Sequence, residues 1–391
     1  MSGEPRAREH LPRAEEFLYW PPSIQSWGYR IVDRLFATRT VLAGGRPRAL
    51  PQGASLDVSY RVGEHAFPLD RFIDRNHVAG LMVLRDGAVV CERYALGLRE
   101  SDRWSTMSTI KSMTAILVGA AVKDGAIASI DDPVPKYLAA LRGSAYDRVT
   151  VRHLLTMSTG VGWTEVYEDP DSDVNKYSRS IANRVPGGVL ELMRGIPPGD
   201  EPGSGFRYNS GDSFLLGALV SAATGKRLAD YMSEKVWQPF GMEFDAFYTL
   251  ESEGGQEIGG SRGGVALRDF ARFGLYVAQD GVIDGKATLP EGWVRDCGTA
   301  AFPVVDPVHN AAGITHYGYC WWLEADGAMN AVGFAGQRIR ISADRRTVIV
   351  ILSAVPQPPW VTAACPDTIA ETRAFIGAVG RAGRSPALGA L

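Results

Sequence analysis

The order of its periodic segments constrains this chain most. The run LMVLRDGAVVCERYALG carries apolar stretches at Leu81–Leu84 and Ala88–Tyr94 on either side of Asp86-Gly87, a dipeptide suited to a type I′ turn, and predicts an antiparallel hairpin. Late in the chain YGYCWWLE, QRIRISAD and TVIVILSA read as strands, the last apolar throughout and fit to be covered on both faces. Between them the periodicity is helical. Lys111–Lys123 is apolar on most faces and stops before Asp124-Gly125, as a buried central helix does. Val151–Met157 with Thr150 as its cap, Asp212–Thr224 and Leu228–Val236 follow, and a final helix is predicted near Thr368–Val379. Strands at both ends with helices between imply one sheet assembled from both ends of the chain, into which a helical lobe is inserted. The expected partition is an N-terminal arm over 1–53, an α/β sheet domain over 54–130 and 256–391, and a mainly helical lobe over 131–255, with the active site between the lobes.

The arm is rich in Pro and Arg and reads as irregular, although its aromatic residues between Phe17 and Trp27 predict that part of it docks. The stretch from Tyr167 to Pro202 reads as a polar loop that rims a cleft. A length of 391 residues suffices for two lobes. A net charge of -3 with Arg scattered among Asp and Glu gives no basic field for nucleic acid or an anionic membrane. Cys91, Cys297, Cys320 and Cys365 form no CxxC pair and read as buried thiols. The charged N-terminal stretch has no apolar core of a signal peptide and no long apolar run occurs, so a cytoplasmic location is expected.

The residues with chemistry begin at Ser108-Thr109-Ile110-Lys111. An i, i+3 spacing at the start of a helix sets both side chains on one face, so that Lys111 can reach the Ser108 hydroxyl. Serine is a poor nucleophile until a base takes its proton, and lysine is that base only when its pKa falls; burial and the positive helix end both lower it. Taken alone, the same four residues also describe an N-cap serine followed by a solvated lysine. Tyr208, in FRYNSGDSFLLGALV, stands at a second loop-to-helix junction, where a phenol near the lysine can shuttle a proton.

STMSTIKSMTAILVGAAVKDGAI, TVRHLLTMSTGVGW, FRYNSGDSFLLGALVSAATGK and GGVALRDFARFGLYVAQDG together resemble successive blocks of the class C β-lactamase-like serine hydrolase superfamily, over roughly residues 75 to 355. MSTIKS, the segment Tyr167-Glu168-Asp169-Pro170, Tyr208-Asn209-Ser210 and the sequence GFAGQ are most similar to 6-aminohexanoate-dimer hydrolases and family VIII carboxylesterases. The resemblance implies a β-lactamase/penicillin-binding-protein fold, an antiparallel sheet flanked by helices plus an all-helical lobe. It implies Ser108 as acylated nucleophile, Lys111 as its base and Tyr208 as acid for the leaving group. The backbone amides of Ser108 and Phe334 become the oxyanion donors and Tyr167 a substrate contact; Ser210, Gly333 and Trp322 are further residues expected to touch substrate. The expected substrate is a small carboxylic ester or linear amide, with no cofactor; a homodimer stays open.

The family's Lys-Thr-Gly strand is where the chain departs, because Ala331-Val332-Gly333 stands there and only the glycine is kept. Loss of that cation removes a partner for a β-lactam carboxylate. A β-lactamase or D-amino-acid peptidase, a non-catalytic binding protein, and an acyltransferase variant are the alternatives. His10, His65, His77, His153, His309 and His316 show no HxH or HExxH spacing, so no metal site is expected, and His153 reads as a helix-packing residue. Gly259–Gly264 lacks the lysine of a phosphate loop and reads as a tight turn. One indole of Trp321-Trp322 is expected in the core and the other at the cleft.

Overall fold

The computed structural model describes residues 11–356 and 368–382; Cys365 and His10 lie outside them. Eight strands make the main sheet: β1 (Val78–Arg85), β2 (Ala88–Tyr94), β3 (Phe302–Pro303), β4 (Ile314–Tyr317), β5 (Trp322–Glu324), β6 (Met329–Gly333), β7 (Gln337–Ile341) and β8 (Thr347–Ser353). Their order is β3-β4-β5-β6-β7-β8-β1-β2, antiparallel throughout, so the early hairpin closes one end of a sheet whose remainder comes from late in the chain. The hairpin turns where the sequence predicts, with Asp86 at φ 49° and Gly87 at φ 79°, both left-handed as type I′ requires. In β8, Val348, Val350 and Leu352 join the larger core, whereas Ile349 and Ile351 join a second core beneath the last helix. The run is apolar throughout because both faces are covered.

Six helices are labelled: α1 (Thr109–Lys123), α2 (Asp173–Ala182), α3 (Gly188–Gly195), α4 (Ser210–Thr224), α5 (Leu267–Ala278) and α6 (Thr368–Ala382). One face of the sheet receives α5 and α1, and α1 also packs on α4 in the helical part; α6 and the short helix Leu69–Arg75 cover the other face. No helix among the described residues is long and apolar enough to cross a membrane.

Three expectations are corrected. The Tyr167–Pro202 stretch contains α2 and α3, and the polar sequence DVNKYSRSIA is helical because Val174, Tyr177 and Ile181, at i, i+3 and i+7, bury one face. The Tyr317–Glu324 run is two strands, broken at Gly318–Trp321, where Cys320 turns at φ 57°. The arm is built rather than irregular: short helices over Ala14–Tyr19, Pro22–Gly28 and Val32–Leu35 bury Phe17 and Tyr29, and Thr38–Val41 pairs with Ala246–Thr249 in a second, four-stranded sheet. Cys91, Cys297 and Cys320 are buried free thiols. Helix Val151–Leu155 takes Thr150 as cap, and His153 completes a capping box by accepting from the Thr150 amide at Nδ1, a more local role than packing.

Candidate active site

Ser108 occupies the N-cap position of α1, yet its side chain makes no capping hydrogen bond. The preceding Met107 adopts φ 47°, a left-handed conformation that costs ~1–3 kcal/mol in a residue with a side chain. Thr106, tied through its amide to the Gly263 carbonyl, helps fix this turn. One helical turn on, Lys111 is 2% exposed and donates to Ser108 Oγ at 2.9 Å, Gly260 O at 2.7 Å and Ser210 Oγ at 3.3 Å. The i, i+3 geometry read from sequence is realised, and the competing capping geometry is not.

Burial pushes Lys111 down to about 8; the negative charge of Glu165 works against that fall and the Arg262 guanidinium assists it. Tyr208 precedes α4, whose N-terminus is capped by Asn209 accepting from the Asp212 amide. Its ring stacks on Trp322 at 5.4 Å and 28°, and Lys111 Nζ lies 5.1 Å from the ring centroid. Burial first, and then Glu165, push the phenol well above the usual tyrosine range, while the Ser108 hydroxyl offsets part of the rise. Tyr208 is therefore a neutral O–H group that can hand a proton on, not a resident phenolate.

Glu165 is the residue that sequence reasoning missed. Its Oε1 accepts from Ser210 Oγ at 2.6 Å and from Tyr167 OH at 2.9 Å; Oε2 accepts from the Ser210 amide at 3.1 Å and from the Trp163 indole. Ser210, expected to touch substrate, links Lys111 to this carboxylate. The loop carrying Glu165 is pinned to the start of α2, since Thr164 donates from both amide and hydroxyl to Asp173 Oδ2. The tight turn read at Gly259–Gly264 also has a use, supplying through Gly260 the carbonyl that holds Lys111.

Gly333, at the end of β6, meets the nucleophile turn. A Cβ added there would stand 3.0 Å from the Ser108 amide nitrogen, 3.0 Å from Thr106 O and 2.9 Å from Met107 Cβ, so only glycine permits this approach. The Ser108 amide thus lies beside the strand end from which Phe334 follows. Ala331, two residues earlier on the same face of β6, is fully buried in the larger core, so no side chain at that position reaches substrate.

A cavity of about 680 Å³ includes Ser108, Glu165, Tyr167, Tyr208, Trp322, Gly333 and Phe334 in its walls. Phe206, Val304, Ile314 and Val332 make much of the wall apolar. Trp322 faces the cavity while Trp321 is fully buried, as the alternation predicts. His309, unassigned from sequence, stacks on the Trp322 indole at 4.2 Å and 9°, and its Nδ1 pairs with Asp306 at 2.8 Å.

Residues 69–374 match the protein family described as Beta-lactamase. The chain is 29% identical over 302 residues to the 6-aminohexanoate-dimer hydrolase of Paenarthrobacter ureafaciens, covering 74% of this chain and 76% of that protein. It is 28% identical over 233 residues to esterase EstB of Burkholderia gladioli, covering 52% and 56% respectively. Among solved structures, a Bacillus anthracis protein assigned as a 6-aminohexanoate-dimer hydrolase superposes with a TM-score of 0.83 at 23% identity, over 97% of this chain and 98% of that one. A family VIII carboxylesterase gives 0.60 at 17% identity, over 80% and 95%. At these identities the superpositions establish a shared fold.

Proposed function

Because the chain belongs to the β-lactamase family, we propose that it is a serine hydrolase that cleaves a carboxylic ester or linear amide through an acyl-enzyme on Ser108. The observation that carries this is the 2.9 Å hydrogen bond from a buried Lys111 to a Ser108 hydroxyl that caps nothing. Lys111 in its neutral form takes the Ser108 proton as Oγ bonds to the carbonyl carbon. The amides of Ser108 and Phe334 receive the oxyanion. Tyr208 gives its proton to the leaving oxygen or nitrogen as that bond breaks, and Lys111 returns a proton to Tyr208. Water then attacks the acyl carbon by the same relay and frees the acid.

The apolar cavity and the names of the similar hydrolase and esterase support an ester or linear amide with a hydrocarbon acyl chain. A β-lactam or D-amino-acid peptide presents a carboxylate that a cation at the Ala331 position would pair, and the buried Ala331 methyl offers none, which favours an ester or linear amide. The test is fluorophosphonate labelling with peptide mapping on the wild type, Ser108→Ala and Lys111→Ala. It runs beside turnover of p-nitrophenyl esters, 6-aminohexanoate dimer and nitrocefin. The expected result is an adduct on Ser108 alone, absent from both variants, with turnover of an ester or the linear amide; no adduct and no turnover by the wild type defeats the reading.

A further inference from the structure

The cavity that holds Ser108 also takes in Arg338 and Arg373, which the acyl chemistry does not use. Arg338 lies on β7 between Val332 of β6 and Ile351 of β8, and all three line the cavity on the face of the sheet covered by α6. The side chain is half-buried, and among the described residues its guanidinium gives one long hydrogen bond, Nη1 to Asn330 Oδ1 at 3.3 Å. Glu324, the carboxylate that acts on it through space, is already saturated: Arg340 binds its two oxygens at 2.8 Å each and Asn330 Nδ2 adds a bond at 3.0 Å. Among the described residues Arg338 has no ion-pair partner. Burial pushes it down to about 10, which leaves it charged at neutral pH.

Among the described residues none of the acidic groups in the cavity walls forms an ion pair with it. Glu165 is occupied by Ser210, Tyr167 and Trp163, Asp306 by His309, and Glu168 is exposed. Arg373, exposed on the second turn of α6, adds a further cation that donates to the Ala311 carbonyl at 3.3 Å. A half-buried guanidinium with spare donors at a cavity wall is open to an anion, and its planar fork fits a carboxylate better than a neutral group.

We propose that Arg338, assisted by Arg373, binds a carboxylate at the far end of the substrate, making the protein selective for half-esters or amides of chains that end in a free acid. The inference rests on the Ser108 hydrolase reading and names its substrate class. The cation comes from the strand next to the one that carries it in β-lactamases, and on the opposite face of the sheet from the buried Ala331 methyl.

The test compares kcat/KM for p-nitrophenyl hexanoate with that for mono-p-nitrophenyl esters of the C4 to C8 straight-chain diacids, in the wild type, Arg338→Gln and Arg338→Lys. At low salt the wild type is expected to favour at least one half-ester by roughly tenfold or more, the scale of a charge-assisted hydrogen bond. That ratio should collapse towards one in Arg338→Gln and be partly kept in Arg338→Lys. Wild-type turnover of the neutral ester with no half-ester preferred, or a preference that persists in Arg338→Gln, overturns the carboxylate site and leaves the hydrolase reading standing. Failure of the wild type on every ester, with no fluorophosphonate adduct, overturns both.

Discussion

The Ser210 hydroxyl donates to Glu165 Oε1 at 2.6 Å, and so the lone pair left on Ser210 Oγ can face Lys111 at 3.3 Å. A carboxylate that never meets the lysine directly thereby orients its partner and acts on its charge. The two influences on Lys111 oppose each other: burial favours the neutral amine that can accept a proton, and Glu165 favours the ammonium that can return one. A base that works in both halves of an acyl-transfer cycle needs both forms within reach.

The pH profile follows from this balance. With neutral Lys111 as the active form, kcat/KM for an ester should rise with pH and reach half its plateau near pH 8, the value to which burial lowers the amine. Glu165→Gln removes the charge that favours the ammonium, so the acid limb should move to lower pH. The plateau should also fall, by about tenfold, because Ser210 loses a charged acceptor. A limb that stays in place in Glu165→Gln refutes the electrostatic role.

Tyr208→Phe separates proton donation from packing. The ring that stacks on Trp322 is kept, so thermal stability should hardly change, while kcat/KM for a linear amide should drop by ~10²–10⁴, the range of a lost general acid. For p-nitrophenyl esters the loss should be smaller, since p-nitrophenolate departs without a proton. Equal losses for both leaving groups would instead put Tyr208 in the activation of Ser108.

What was legible in the sequence is what short-range geometry determines. Ser108 and Lys111 are one helical turn apart, and Tyr208 adjoins the cap of α4, so both features are visible within a few residues. Glu165 was hidden because its meaning comes from Ser210, which is distant in the chain, and WTEVYEDP has no periodicity to mark it. Gly260 was hidden for the same reason, a backbone carbonyl being invisible in any motif. Helix α2 was legible in principle through the spacing of Val174, Tyr177 and Ile181, but the polar residues around them suggested a loop. The break at Cys320 lay beyond sequence reasoning, because a left-handed cysteine between tyrosine and tryptophan goes against local preference and is imposed by contacts such as that of its amide with the Leu155 carbonyl.

Gly333→Ala tests the close approach of β6 to the nucleophile. Gly333 has φ -133°, which alanine adopts freely, so the penalty is steric alone. Two of the three atoms that the new methyl would meet are backbone, Ser108 N and Thr106 O, and cannot rotate away. The turn must shift by a few tenths of an ångström, displacing the Ser108 amide from an oxyanion. A fall in kcat of ~10²–10³, the scale of one lost oxyanion donor, is expected, with Ser108 still present and the protein folded by circular dichroism. Undiminished kcat would show that the Ser108 amide is not at the reacting centre.

Asp212, fully buried in the first turn of α4, gives a prediction on stability rather than rate. It accepts from Tyr146 OH at 2.9 Å and Thr159 Oγ1 at 3.0 Å, with no cation paired to it among the described residues, and burial lifts its carboxyl to about 8. A group whose folded pKa lies above its unfolded one favours the fold below the unfolded value, and that contribution is lost as pH rises through the folded value. The window here runs from about 4 to about 8. Asp212→Asn imitates the protonated acid, and its amide can serve Tyr146 and Thr159 after their hydroxyls reorient. At pH 9 the variant should therefore melt higher than the wild type by at least ~2–4 °C, the shift that ~1 kcal/mol produces in domains of roughly 150–250 residues. At pH 4 the difference should vanish or reverse. Differential scanning calorimetry at both pH values decides it, and a pH-independent gap between the two proteins would mean that Asp212 does not take up a proton on folding.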